Sequence, residues 1–144
     1  MHKSFLNKGE ISLPLAGDLN QAKVGWERWH EALANTNQDT YALIQDFDSN
    51  ITFFQALLNC IFGNSPYLTQ LIVREPAFFL QILNFGPDET YQWSIDTLRQ
   101  SYQDLSDGEH SLMQCLRIAK KRVATTIAIA DITGAWALPQ VMYA

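Results

Sequence analysis

The chain has 144 residues, 47% of them hydrophobic and 12% aromatic. That is enough to bury roughly two thirds of the unfolded surface in a domain-sized core, and it excludes a disordered segment. A net charge of −5 also argues against general nucleic-acid binding, which needs a basic surface.

Residues 1–17 contain Gly9, Pro14 and Gly17 with little periodicity, and read as an extended lead-in. Asp18 is placed to cap a helix running to about Ala34, because its carboxylate can accept the free N–H groups of a first turn. Leu19, Ala22, Trp26, Trp29 and Leu33 then recur at three- and four-residue steps and predict one apolar face. A short helix is expected from about Asp39 to Phe47. Ser49 or Asn50 then caps a helix from Ile51 to Phe62 with the stripe Ile51, Phe54, Leu57, Leu58 and Ile61, and Gly63 is the expected left-handed stop.

Three helices are expected to open on proline, where the missing N–H costs nothing: Pro66 to Arg74, Pro76 to about Leu83, and Pro87 to about Leu105. Asp107 should cap a final long helix of about 25 residues, or roughly 37 Å, that stops at Asp131-Ile132-Thr133-Gly134. Its expected buried seam is Leu112, Leu116, Ala119, Val123, Ile127 and Ala130. Leu138-Pro139-Gln140-Val141 begins a further helical pattern, so the chain reads as a piece of something longer. No segment alternates apolar and polar residues for long enough to make a strand. The fold class is all-α, an irregular bundle of short helices packed on one long C-terminal helix.

Four of the ten Lys and Arg residues, Arg117, Lys120, Lys121 and Arg122, fall within one and a half turns of the long helix. At least three share one side. They are the candidate contacts for phosphate or for an acidic partner domain, weighed against a plain solvated face. Asp46-Phe47-Asp48 is the one Asp-x-Asp triplet, with its carboxylates at i and i+2. It ends a helix beside Ser49-Asn50, with no strand before it, and reads as a helix boundary, not as a Mg²⁺ ligand pair. His2, His30 and His110 have no Cys or second His at metal spacing and read as structural or surface residues. Cys60 and Cys115 read as buried free thiols of a reducing compartment. With no signal-peptide core after Met1 and no membrane-length apolar run, a cytoplasmic location is expected. No catalytic residue and no metal site emerge.

Two stretches carry a resemblance. Asn64-Ser65-Pro66-Tyr67-Leu68 through Glu75-Pro76 resembles a segment of the bacterial glutamine synthetase adenylyltransferases. The second stretch runs from Leu116-Arg117-Ile118-Ala119-Lys120-Lys121-Arg122 to Ala128-Ile129-Ala130-Asp131-Ile132-Thr133-Gly134 and Trp136. It is similar to a helix of the same family, in its α-proteobacterial branch. The ordered pair spans about residues 55–144, and residues 1–54 match only loosely.

The resemblance implies a parent with two nucleotidyltransferase domains. One transfers AMP from ATP to a tyrosine of glutamine synthetase, and the other removes it by phosphorolysis. Each uses a Gly-Ser…Asp-x-Asp strand to hold Mg²⁺. Glutamine synthetase and a PII-type signalling protein are the implied partners, and nitrogen assimilation the implied process. This chain contains no Gly-Ser dipeptide. Residues 18–144 are therefore expected to form a helical domain truncated before the first nucleotidyltransferase domain, silent by itself and without a cofactor of its own. Mg²⁺ and ATP belong to the implied parent. The competing expectation is a stand-alone helical module that binds a partner through its aromatic surface.

Overall fold

The computed structural model describes residues 13–36, 51–103 and 108–135. It is all-α, with six helices among the described residues: α1 (Leu19–Ala34), α2 (Ile51–Asn64), α3 (Pro66–Arg74), α4 (Pro76–Phe85), α5 (Pro87–Gln103) and α6 (Glu109–Ile132). The expected helix at Asp39 to Phe47, the caps at Ser49 or Asn50, the Asp46/Asp48 pair and the pattern after Leu138 all lie outside the described residues. The chain divides into two compact units, with the boundary inside α4 between Gln81 and Ile82.

In the first unit α1 packs on α2, and α3 packs on both. Asp18 caps α1 as expected, its carboxylate accepting from the Gln21 amide at 3.0 Å. The buried face is Ala22, Gly25, Trp29 and Leu33. This corrects the expected stripe at two positions. Leu19 is 78% exposed and Trp26 is only half-buried. The cause is Gly25, whose bare backbone lets the Phe62 ring of α2 press directly on α1 and turns that side of the helix inward. Trp26 lies at the edge of this contact. It meets Phe62 edge-on, donates its indole N–H to Asn59, and stacks on the exposed His30. The core beneath is aromatic: Trp29, Phe54 and Phe79 lie within 6.4 Å of one another, centroid to centroid.

Gly63 is not the left-handed stop that its position predicts. α2 continues through it to Asn64, and the glycine instead clears space for Ala16, with which a Cβ would collide. Residues 13–18 are thereby strapped onto the end of α2. Asn64 accepts from the Gly17 amide and donates to the Leu15 and Cys60 carbonyls, each at 2.9 Å, while the Asp18 amide donates to the Gly63 carbonyl. Burial pushes the pKa of the Cys60 thiol up, with the Asn64 hydrogen bond opposing in part. Ser65 then caps α3, accepting from the Leu68 amide, with Pro66 in the first turn.

The left-handed glycine of this region is Gly86, at φ 85°. It ends α4 two residues beyond the expected Leu83, its N–H donating to the Ile82 carbonyl at 2.9 Å. α5 starts at once on Pro87 and packs against α6. Near its start, Thr90 is 1% exposed and its hydroxyl has no hydrogen-bond partner. A buried unpaired hydroxyl costs free energy that an apolar isostere avoids. Thr90→Val should therefore stabilise the chain by about 1 kcal/mol, read as a rise in denaturation midpoint. A fall of that size would mean that the hydroxyl is satisfied in solution.

α6 has 24 residues, one turn in every 3.6. Its N-cap position is held by Gly108, at φ 86° and with no side-chain cap; Asp107, the expected cap, lies outside the described residues. The stop is as expected: Gly134, at φ 69°, donates to the Asp131 carbonyl. The buried seam needs correction. Ala119 and Ala130 are buried, but Leu116 is 43% exposed and Leu112, Val123 and Ile127 are half-buried. Thr125, Thr126, Ile129 and Thr133 are buried instead. The threonines can enter because each hydroxyl donates to the carbonyl four residues back, on Lys121, Arg122 and Ile129, and so carries no unpaired polar group inward. Cys115, expected to be buried, is half-buried. No helix among the described residues is long and apolar enough to cross a membrane.

Candidate functional site

Successive residues on α6 turn by about 100°, and that geometry divides the basic cluster. Arg117, Lys120 and Lys121 occupy one side and are all exposed. Met113, Leu116 and Ile118 are exposed in the same two turns, at 47%, 43% and 39%. The amino-terminal half of α6 therefore presents three cations interleaved with three large apolar side chains. A surface of this mixture matches a partner that offers carboxylates around an apolar patch, because long cationic stems cover apolar area while their heads stay paired or solvated.

Arg122 belongs to a different environment. It is half-buried, and its guanidinium carbon lies 5.3 Å from the centroid of the Trp93 ring on α5, a cation–π contact. On this side of α6, Cys115, Ala119 and Arg122 face α5 across a cleft of about 130 Å³. From α5 come the hydroxyls of Ser94, Thr97 and Ser101. The walls are mostly apolar. Trp93 gave no cue in the sequence, since its role depends on a residue 29 positions away that only the α5–α6 packing brings beside it.

The four expected site residues thus form two features, an exposed basic and apolar helix face and a stacked arginine at a cleft. Among the described residues no three His, Cys, Asp or Glu side chains come together.

Comparison with known proteins agrees with the second half of the chain most directly. A family model described as glutamate-ammonia ligase adenylyltransferase matches residues 55–144. That span runs from the first turns of α2 through all of α6. Among similar proteins is a bifunctional glutamine synthetase adenylyltransferase/adenylyl-removing enzyme of Rhodopseudomonas palustris strain HaA2, 30% identical over 118 residues, which are 82% of this chain and 12% of that protein. A protein of the same name from strain BisB5 is 36% identical over 87 residues, 60% of this chain and 9% of its own length. The chain spans about an eighth of the length of the curated relatives it matches. No solved structure matches.

Proposed function

The chain belongs to the glutamate-ammonia ligase adenylyltransferase family, and from that membership we propose that it is an amino-terminal helical segment of an enzyme that sets the adenylylation state of glutamine synthetase. In this reading AMP transfer from ATP to a tyrosine, and its phosphorolytic removal, belong to nucleotidyltransferase domains elsewhere in the protein, together with ATP and Mg²⁺. On this proposal the metal ligands also lie in those domains. The part of the helices described above is to brace the neighbouring domain through the exposed face of α6, with Arg117, Lys120 and Lys121 pairing with its carboxylates around Met113 and Leu116.

The observation that carries this is the family match, which covers residues 55–144 and so includes the whole of that face. Glutamine synthetase is then the substrate partner, a PII-type protein the expected regulator, and a cytoplasmic setting follows from both.

Two measurements test it. The purified 144-residue chain, incubated with glutamine synthetase, ATP and Mg²⁺, or with adenylylated enzyme and phosphate, should transfer or release no AMP; either activity would overturn the division of labour. In addition, the Lys120→Glu/Lys121→Glu pair should weaken association of this segment with the separately produced remainder of the enzyme by about tenfold at low salt. Lys23→Glu/Arg28→Glu, a control pair on the exposed side of α1, should leave it unchanged. Equal affinity for both variants would retire the role of the basic face.

A further inference from the structure

We propose that the cleft between α5 and α6 is a binding site for a small uncharged alcohol, whose hydroxyl donates to the serine and threonine oxygens of α5 and whose hydrocarbon body lies on the apolar walls. The site is distinct from the exposed basic face of α6 and does not rest on what that face docks against.

The dimensions of the cleft set the size of the ligand. It holds about 130 Å³, close to the roughly 150 Å³ engineered cavity that accepts benzene, so it suits a body of a few carbons. Leu98, Ile118 and Ala119 contribute apolar surface, and the walls as a whole are mostly apolar. Ile118 is 39% exposed and Thr97 and Leu98 are half-buried, so a ligand has a way in from solvent.

Charge decides the class of ligand. Arg122 is the one charged residue on the lining, and it is already engaged. Its guanidinium lies over the Trp93 ring at 5.3 Å and has a further interaction within the protein. No cation is held in reserve for an anion, which would shed its water against mostly apolar walls without a new partner. An ammonium ion would lose its water in the same way, beside a guanidinium of like charge. A neutral molecule avoids both costs.

The polar wall decides what that molecule carries. Ser94 is 2% exposed and its proton is committed to the Thr90 carbonyl at 2.9 Å, so what it has left for a ligand is acceptor capacity. Thr97 and Ser101 line the same wall, and a hydroxyl oxygen can accept whichever way its own proton turns. Acceptors beside an apolar floor match a short hydrocarbon with one O–H donor. A ketone or an ether of the same size lacks the proton that Ser94 can accept.

Cys115 lines the cleft and is half-buried, whereas Cys60 is 3% exposed and lies in the other unit. Alkylation of Cys115 by iodoacetamide therefore reports on the cleft. Its rate in the intact chain would be measured against ethanol, propan-1-ol, butan-1-ol and pentan-1-ol, with butyrate, butylammonium and methoxypropane as controls of matched size. Saturable protection by the alcohols is expected, tightening by about three- to fourfold per added methylene until the cleft is filled. Methoxypropane, an isomer of butan-1-ol without the O–H, should bind about fivefold more weakly. The two ions should bind at least about tenfold more weakly.

Thr97→Leu fills the cleft and should remove the dependence of the alkylation rate on alcohol. Should that variant lose its helical signal, Ser101→Leu obstructs the same half-buried wall and is read in the same way. An alkylation rate indifferent to every alcohol would overturn the proposal. So would protection by butyrate or butylammonium equal to that by butan-1-ol, by methoxypropane equal to that by its isomer, or by alcohols undiminished in both leucine variants.

Discussion

Trp29→Ala should cost about 3–5 kcal/mol, a large fraction of the total stability of a typical domain. The side chain is 1% exposed on α1. It meets Phe79 of α4 edge-to-face at 5.8 Å and Phe54 of α2 at 6.3 Å, so one indole joins three helices distant in sequence. Its removal leaves a cavity that the remaining rings cannot close without abandoning each other, since Phe54 and Phe79 are also in contact, at 6.4 Å. The penalty then includes the empty volume as well as the lost transfer free energy. Urea denaturation followed by far-UV circular dichroism would show the loss as a lower midpoint. Trp29→Phe should recover part of it. A loss under about 1 kcal/mol for the alanine variant is the size expected of a surface position and would mean that the three-ring cluster is not the centre of this unit.

The second large effect runs against helix propensity. Replacing a glycine inside a helix normally gains up to about 1 kcal/mol. At Gly25 the gain should be reversed, because a Cβ there would lie 2.5 Å from Cγ and 2.6 Å from Cβ of Phe62. Phe62 is fully buried and meets Trp26 edge-on at 5.4 Å, so the ring has little room in which to retreat. Gly25→Val should destabilise by about 1–3 kcal/mol, as overpacked cores do. The origin of the effect is checked by coupling: with Phe62→Leu in the same chain, the added cost of Gly25→Val should shrink, giving a non-additive cycle. Strict additivity would place the strain somewhere other than the α1–α2 contact.

These two residues also show what could and could not be read in advance. Trp29 was legible, because a large apolar residue on a periodic face has one direction in which to bury itself. Gly25 was not. A glycine carries no hydrophobic signal, and its value lies in what a distant residue can do against it. The same reason explains the error at Gly63, where a local rule for helix ends was overruled by the approach of Ala16. The helix starts at Asp18, Ser65-Pro66, Pro76 and Pro87 were all anticipated correctly, because capping and proline geometry act within a single turn.

The basic cluster was legible as residues and not as an arrangement. Helical spacing alone puts Arg117, Lys120 and Lys121 together and turns Arg122 away, but nothing in that spacing names Trp93 as the ring beneath the last of them. Family membership came from order and identity along the chain, a property that packing does not alter.

By itself the sequence determined the helix starts at Asp18, Ser65-Pro66, Pro76 and Pro87, most of the Trp29 face and the kinship with the adenylyltransferases, since each depends on neighbours within a few positions or on the order of residues. Tertiary structure alone decided which glycines admit a neighbour, which threonines are buried, and that one of the four clustered cations, Arg122, lines a cleft. Those outcomes depend on surfaces from separate helices meeting, and a meeting of that kind is set by shape and volume across the fold.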